Sequence, residues 1–175
     1  SSGRETVARV MGGALAARLI AECGITVSSR IVSVHGNMDP GCFDGEIRAA
    51  KEAGNSVGGV VEIRAAGCPP GLEDPVFGKL DAALAAAMMS IGSVKGVEIG
   101  DGFLVADRLG SENNDEIGPG GYLTNHAGGI LGGISTGEDV IVRIAVKPTP
   151  SIAVPQATID AAGRPVVLSV TGRHD

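Results

Sequence analysis

Glycine fills 28 of the 175 positions without a repeating period, and the aromatic side chains number only four: Phe43, Phe77, Phe103 and Tyr122. A core must then be built from Val, Ile, Leu, Ala and Met. Such small side chains let backbones approach closely, and aperiodic glycine marks turns and places where a ligand can lie against main chain. A length of 175 residues with 43% hydrophobic content fits one domain over 1–175 with a real core and no disordered-tail composition.

Charge narrows the partners. The formal net charge is −6 and no block of Lys or Arg occurs, so a phosphate-backbone partner is a poor fit and no nucleic-acid binding is expected. No apolar run approaches the ~20 residues that span a bilayer, so no membrane partner is expected either. The opening residues have neither the apolar core nor the processing site of a signal peptide, and the first residue is not Met. Cys23, Cys42 and Cys68 are widely spaced and contain no Cys-x-x-Cys pair, which predicts free thiols in a reducing cytoplasm. His35, His126 and His174 lack metal-ligand spacing, so no metal site is expected.

Periodicity supplies the elements. Ser2-Gly3-Arg4-Glu5 has the form of a capping box, and Val7, Val10, Met11, Ala14, Leu15 and Leu19 repeat at helical spacing, predicting a helix over 3–22. Strands are expected over 25–34, 57–65, 94–99, 103–109, 140–146 and 165–170. Further helices are expected over 46–53 and 76–90, with a turn at 37–41. Gly58 and Gly59 mark a weak point or bulge in the second strand. Strands and helices mix without βαβ alternation, so the class is α+β.

Four places have chemical potential. The helix start at Ser1-Ser2 offers unpaired N–H groups and positive partial charge to an anion, although an ordinary cap explains the same residues. Between Asn125 and Ser135, paired glycines four residues apart suit either a flat ligand or tight backbone packing. Lys147-Pro148-Thr149-Pro150-Ser151 places one cation and two hydroxyls on a stiff loop after a strand; a solvated lysine is the plainer reading. Gly172-Arg173-His174-Asp175 combines a phosphate-clamping Arg with groups that move protons.

Together these segments are more specific than any one of them. Ser1-Ser2-Gly3-Arg4-Glu5-Thr6 resembles the Arg-Ser-Ser-Ala-Arg-Glu-Thr signature of chorismate synthases. Phe77-Gly78-Lys79-Leu80-Asp81-Ala82 and the block from Met89 to Gly100 resemble the family's central region. Gly110-Ser111-Glu112-Asn113-Asn114-Asp115-Glu116, the segment Asn125 to Ser135, Lys147-Pro148-Thr149 and Gly172-Arg173-His174-Asp175 follow in the family's order.

The resemblance implies a β-α-β sandwich, assembly as a homotetramer, and a cytoplasmic lyase of aromatic amino-acid biosynthesis. That lyase eliminates phosphate from 5-enolpyruvylshikimate 3-phosphate in a 1,4-anti sense to give chorismate. It needs reduced FMN, which is thought to lend an electron as phosphate leaves and to receive a proton at N5. FMN contacts are implied at Ser1, Ser2, Gly92, Ser93, Gly132, Lys147, Pro148, Thr149, Pro150, Ser151 and Arg173. Substrate-binding arginines match Arg4 and Arg173, and Asp175 matches the aspartate that manages the flavin proton. The chain departs from the pattern at Gly3 (usually Ala), at Gly92-Ser93 (Asn-Ala or Pro-Ala), at Pro150 (often Ser) and at Asn55 (in a Gly-Asp-Ser). The family's N-terminal part, with two active-site histidines and more arginines, is expected to be absent, as is the stretch after Asp175. The alternative to a working enzyme is therefore a non-catalytic, packing and oligomerising core.

Overall fold

The computed structural model describes residues 2–170. Helix α1 runs Ser2–Ala21 and strand β1 runs Thr26–Val34; a 3-10 turn over Pro40–Cys42 leads into α2, Phe43–Glu52. That turn falls where it is expected because the Asp39 carboxylate accepts the Gly41 N–H at 2.9 Å, and Pro40 fits the first helical position. Strand β2 is Gly59–Ala66, helix α3 Leu80–Met89 and strand β3 Val94–Ile99. Then come the short helix α4 (Gly110–Asn113) and two small hairpins, β4–β5 (Ile117–Gly118, Gly121–Tyr122) and β6–β7 (Ile130–Leu131, Ile134–Ser135). Strand β8 (Val140–Val146) and the hairpin β9–β10 (Gln156–Ile159, Pro165–Leu168) follow. The class is α+β, as the mixed element order predicts.

One antiparallel sheet, ordered β1-β2-β8-β3, organises the chain. β8 has the cleanest alternation. Val140, Val142 and Ile144 turn inward to the core with Val94, Ile130 and Cys68, and Leu80, Leu84 and Met88 of α3 pack against them. Val142, 2% exposed, is the centre. The opposite face is charged. Arg30, Glu62, Arg143 and Glu98 stand in register across all four strands, and Glu62 accepts from Arg30 (2.8 Å) and from Arg143 (2.9 Å). Opposite charges directly across a ladder favour that pairing.

Some sequence expectations change. The expected strand over 103–109 is instead a 3-10 helix, Gly102–Asp107. Phe103 donates its N–H to the Glu98 carboxylate, and Leu104 donates to Asp101 O, so the chain curls back immediately after β3. Helix α1 forms where its spacing predicts, but its apolar stripe stays open. Val7, Val10, Met11, Leu15 and Leu19 are 60–73% exposed, and no described side chain of α1 is buried. On the neighbouring sheet edge, Val27 and Ile31 share the face of Ala65 and Val61 yet are also exposed. The bulge expected at Gly58-Gly59 lies instead in β1, where the register shifts between Ile31 and Ser33 opposite Val61 and Val60; Gly59 pairs with Val34 and allows close approach, since a Cβ there would meet Ser33 O at 2.6 Å. No helix among the described residues is long and apolar enough to cross a membrane.

Candidate functional site

A cleft of about 410 Å³ opens where the first half of α1 passes the turn between α3 and β3. Its α1 wall is Gly3, Thr6, Val7, Val10 and Met11; its other wall is Gly92 and Ser93. The helix places these residues on one side because positions three and four apart share a face. The wall is thus the first part of the exposed apolar stripe. The α1 start brings the positive end of a 20-residue helix to the same place.

The opposite wall is held in an unusual backbone conformation. Ser93 has φ 71°, a region that non-glycine residues seldom occupy. Its carbonyl accepts the Lys147 N–H at 2.9 Å, so the residue after β8 is stitched directly to the cleft. The loop from Lys147 is pinned again where Ser56 Oγ donates to Thr149 O at 2.6 Å. Glycine at 58 is required there, since a Cβ would lie 2.5 Å from Val146 O and 3.0 Å from Pro148 Cδ. Lys147, Pro148, Thr149 and Pro150 are exposed and Ser151 is half-buried.

Of the residues expected to bind ligand, the structure brings Gly92 and Ser93 to the first half of α1, and the Lys147 backbone to Ser93. Ser2 opens that helix and Arg4 sits exposed in its first turn, beside Gly3 of the cleft wall. Ser1, Arg173 and Asp175 lie outside the described residues. Gly132 stands elsewhere: it is in the β6–β7 turn, whose Gly133 carbonyl accepts the Leu80 N–H at the start of α3. Gly92 and Ser93 follow the other end of that ten-residue helix, roughly 15 Å away at 1.5 Å per residue.

The glycine pairs divide between the two uses the sequence leaves open. A Cβ at Gly128 would meet Gly100 N at 2.3 Å, one at Gly129 would meet Asp139 O at 2.5 Å, and one at Gly133 would meet Lys79 Cγ at 2.5 Å. These three serve packing. Gly132 alone of the four has nothing within 4 Å and is exposed, so its main chain is open to a ligand. The segment is anchored by Asp115, whose carboxylate accepts from Thr124 Oγ1 (2.7 Å), His126 N (2.7 Å) and Ala127 N (3.0 Å) and lies 3.1 Å from His126 Nδ1. Burial pushes the Asp115 carboxyl up, but these hydrogen bonds outweigh it and hold it below the usual range. His126 is accordingly part of a fold anchor. Among the described residues, no three His, Cys, Asp or Glu gather to hold a metal ion.

Sequence reasoning missed two things at the cleft: that Val7, Val10 and Met11 form its wall, and that Arg9 spans its flank. Arg9 donates to Ser90 Oγ at 3.0 Å and to Ser90 O at 2.9 Å. Helical spacing picks out the apolar residues but cannot say which part of a stripe lines a cleft. No local pattern marks Arg9.

The sheet, the helical layer and the half-apolar cleft at a helix start define an α+β protein with a ligand-sized site floored by main chain. The chain belongs to the chorismate synthase family, whose model matches residues 1–175. It is 52% identical to a chorismate synthase of Syntrophobacter fumaroxidans and 50% identical to one of Oleidesulfovibrio alaskensis. Both matches cover 100% of this chain, but 56% and 55% of those proteins. The chain thus spans about half the length of the curated relatives it matches. A solved structure described as the crystal structure of chorismate synthase is similar at TM-score 0.78 and 36% identity, over 84% of this chain and 56% of that one.

Proposed function

We propose that the protein containing this chain is a chorismate synthase, eliminating phosphate from 5-enolpyruvylshikimate 3-phosphate with reduced FMN. One observation carries the reading: two family motifs far apart in sequence, at the α1 start and at Gly92-Ser93, wall one cleft, and a third is tied to it through the Lys147 N–H bond to Ser93 O. The residues present fit a flavin mononucleotide. Val7, Val10 and Met11 offer an apolar wall to a flat ring and the α1 start suits a phosphate, with Lys147 the cation next in the chain to the cleft's Ser93 contact. When bound, reduced FMN would supply an electron transiently as the phosphate leaves.

The chain's own residues then have three tasks. Lys147 and Arg4 hold negative charge, and Arg173 joins them on the strength of the family motif. Fixed cations aimed at developing charge lower a barrier without reorganising. Ser93 and the 147–151 loop orient the ligand through main chain held by its own hydrogen bonds. Asp175 is assigned to the proton at flavin N5 by the same family motif. Gly132 offers an open main-chain surface for a further contact. Assembly as a homotetramer and a cytoplasmic place belong to this reading as well.

The exposed apolar stripe of α1 and the exposed Val27 and Ile31 favour a second statement about the 175 residues taken alone. On their own they act as a packing core and do not turn over substrate at a useful rate.

The test is flavin titration and anaerobic turnover of the parent-length protein with Lys147→Ala and Asp175→Asn. Lys147→Ala should weaken FMN or substrate roughly tenfold to a hundredfold, the worth of one charged hydrogen bond. Asp175→Asn should lower turnover far more than FMN affinity. Unchanged affinities in the first variant, with turnover within a few-fold in the second, would defeat the assignment.

A further inference from the structure

We infer that Arg9 is a positioning residue that sets the width of the cleft between α1 and the Gly92-Ser93 turn. The inference rests on the cleft being the flavin site proposed above. Helix α1 buries no described side chain, so apolar packing does little to fix its distance from the sheet. Arg9 supplies a specific tie. Its guanidinium donates through Nη1 to Ser90 Oγ and through Nη2 to Ser90 O, a fork that fixes direction as well as distance.

Ser90 is a well-chosen anchor. It is the C-cap of α3, where the free carbonyls of a helix end gather negative partial charge that a cation offsets. Its hydroxyl also donates to Ala87 O at 2.6 Å, so the acceptor itself cannot swing. Two residues further on the chain reaches Gly92, then Ser93 with its left-handed φ and its bond to Lys147. The path from Arg9 to Lys147 therefore runs through Ser90 and Ser93. Meanwhile the neighbours of Arg9 on α1, Thr6, Val10 and Met11, form the facing wall. Moving the fork changes the gap into which a flat ligand must fit, although Arg9 itself does not line the cleft. A lysine in its place would present a single point charge and lose the fork.

The experiment uses the parent-length protein, with FMN as the probe. Arg9→Ala, Arg9→Lys and Ser90→Ala are compared with wild type in FMN dissociation constant, visible spectrum of bound flavin, and melting temperature without FMN. Arg9→Ala should weaken FMN about tenfold or more and shift the bound-flavin spectrum. Arg9→Lys should fall between, and added guanidinium ion should restore part of the Arg9→Ala affinity. Ser90→Ala, which keeps the carbonyl acceptor, should show a smaller loss with the same spectral shift. That last variant is the arbiter if Arg9→Ala does not fold. An affinity within twofold of wild type and an unshifted spectrum in Arg9→Lys and Ser90→Ala would overturn the inference. If Lys147→Ala still weakens FMN in that case, the flavin site stands and only the role of Arg9 falls. If wild type binds no FMN, both fall.

Discussion

Replacing Gly100 with Ala tests the claim that the glycines of this chain serve two different ends. Gly100 has φ 58°, and an added Cβ would lie 2.2 Å from His126 O, 2.5 Å from Gly128 N and 2.7 Å from Ala127 C. All three are backbone atoms, so no flexible side chain can move aside. The left-handed conformation costs an L-residue roughly 1–2 kcal/mol. Forcing extra volume into a packed place adds roughly 1–3 kcal/mol. The strain also bears on two bonds that close the crossing, Gly100 N to Ile141 O and Ile141 N to Gly128 O. The expected loss is about 2–4 kcal/mol, after a gain of about 0.4–1 kcal/mol from a stiffer unfolded chain.

Gly132→Ala is the matched control. It has φ 61° but nothing within 4 Å, so only the conformational cost applies, and that is only partly offset by the unfolded-state gain. Its expected loss is about 1 kcal/mol or less. Urea unfolding of both variants, with slopes compared so that only midpoints are interpreted, measures the difference. Losses within about 0.5 kcal/mol of one another would mean that the 126–129 segment yields freely, and the distinction between packing and open glycines would fail. The same pair separates stability from function: Gly132→Ala should weaken FMN binding while leaving the fold intact.

Three further outcomes are expected. Ser93→Gly should relieve the left-handed backbone and raise stability by up to about 1 kcal/mol in urea unfolding, while Ser93→Val should lower it. Hydrogen bonding from Arg30, then from Arg143, outweighs burial and holds Glu62 below the usual carboxylate range. Its stabilising effect is therefore present above the unfolded value near about pH 4.3 and lost as pH falls through the folded value, so Glu62→Gln should make the acid limb of unfolding shallower. The 175 residues alone should self-associate through the α1 stripe, and Leu15→Gln with Leu19→Gln should reduce that association in light scattering after size exclusion.

The regular elements were legible because their signals are local. β8 (Val140–Val146) and β3 (Val94–Ile99) have the expected limits, since both are short runs rich in β-branched residues. Residues 103–109 failed for a reason outside their own pattern. Phe103, Leu104 and Val105 have strand-forming character, but the Glu98 carboxylate five residues earlier captures the Phe103 N–H and starts a 3-10 turn. The short hairpins were hidden because two-residue strands have no period to detect. β6–β7 exists because Gly132 and Gly133 both take positive φ, as a tight two-residue hairpin turn demands.

The candidate site was half legible, and the division follows the range of each signal. Gly92, Ser93 and the Lys147 loop stand out in the sequence as a family pattern, yet nothing in the sequence pairs them. Their meeting comes from sheet order: β3 and β8 are adjacent and antiparallel, so the residue before β3 faces the residue after β8. The Lys147 N–H to Ser93 O bond is the last rung of that ladder extended by one step. The α1 wall joins them by a different route, through a polar fork to the end of α3 and with no described side chain of α1 fully buried. A hydrophobic stripe read in isolation predicts a core face. Here the sheet's own core is already filled by α3, so the stripe is left with one half at the cleft and the other half bare.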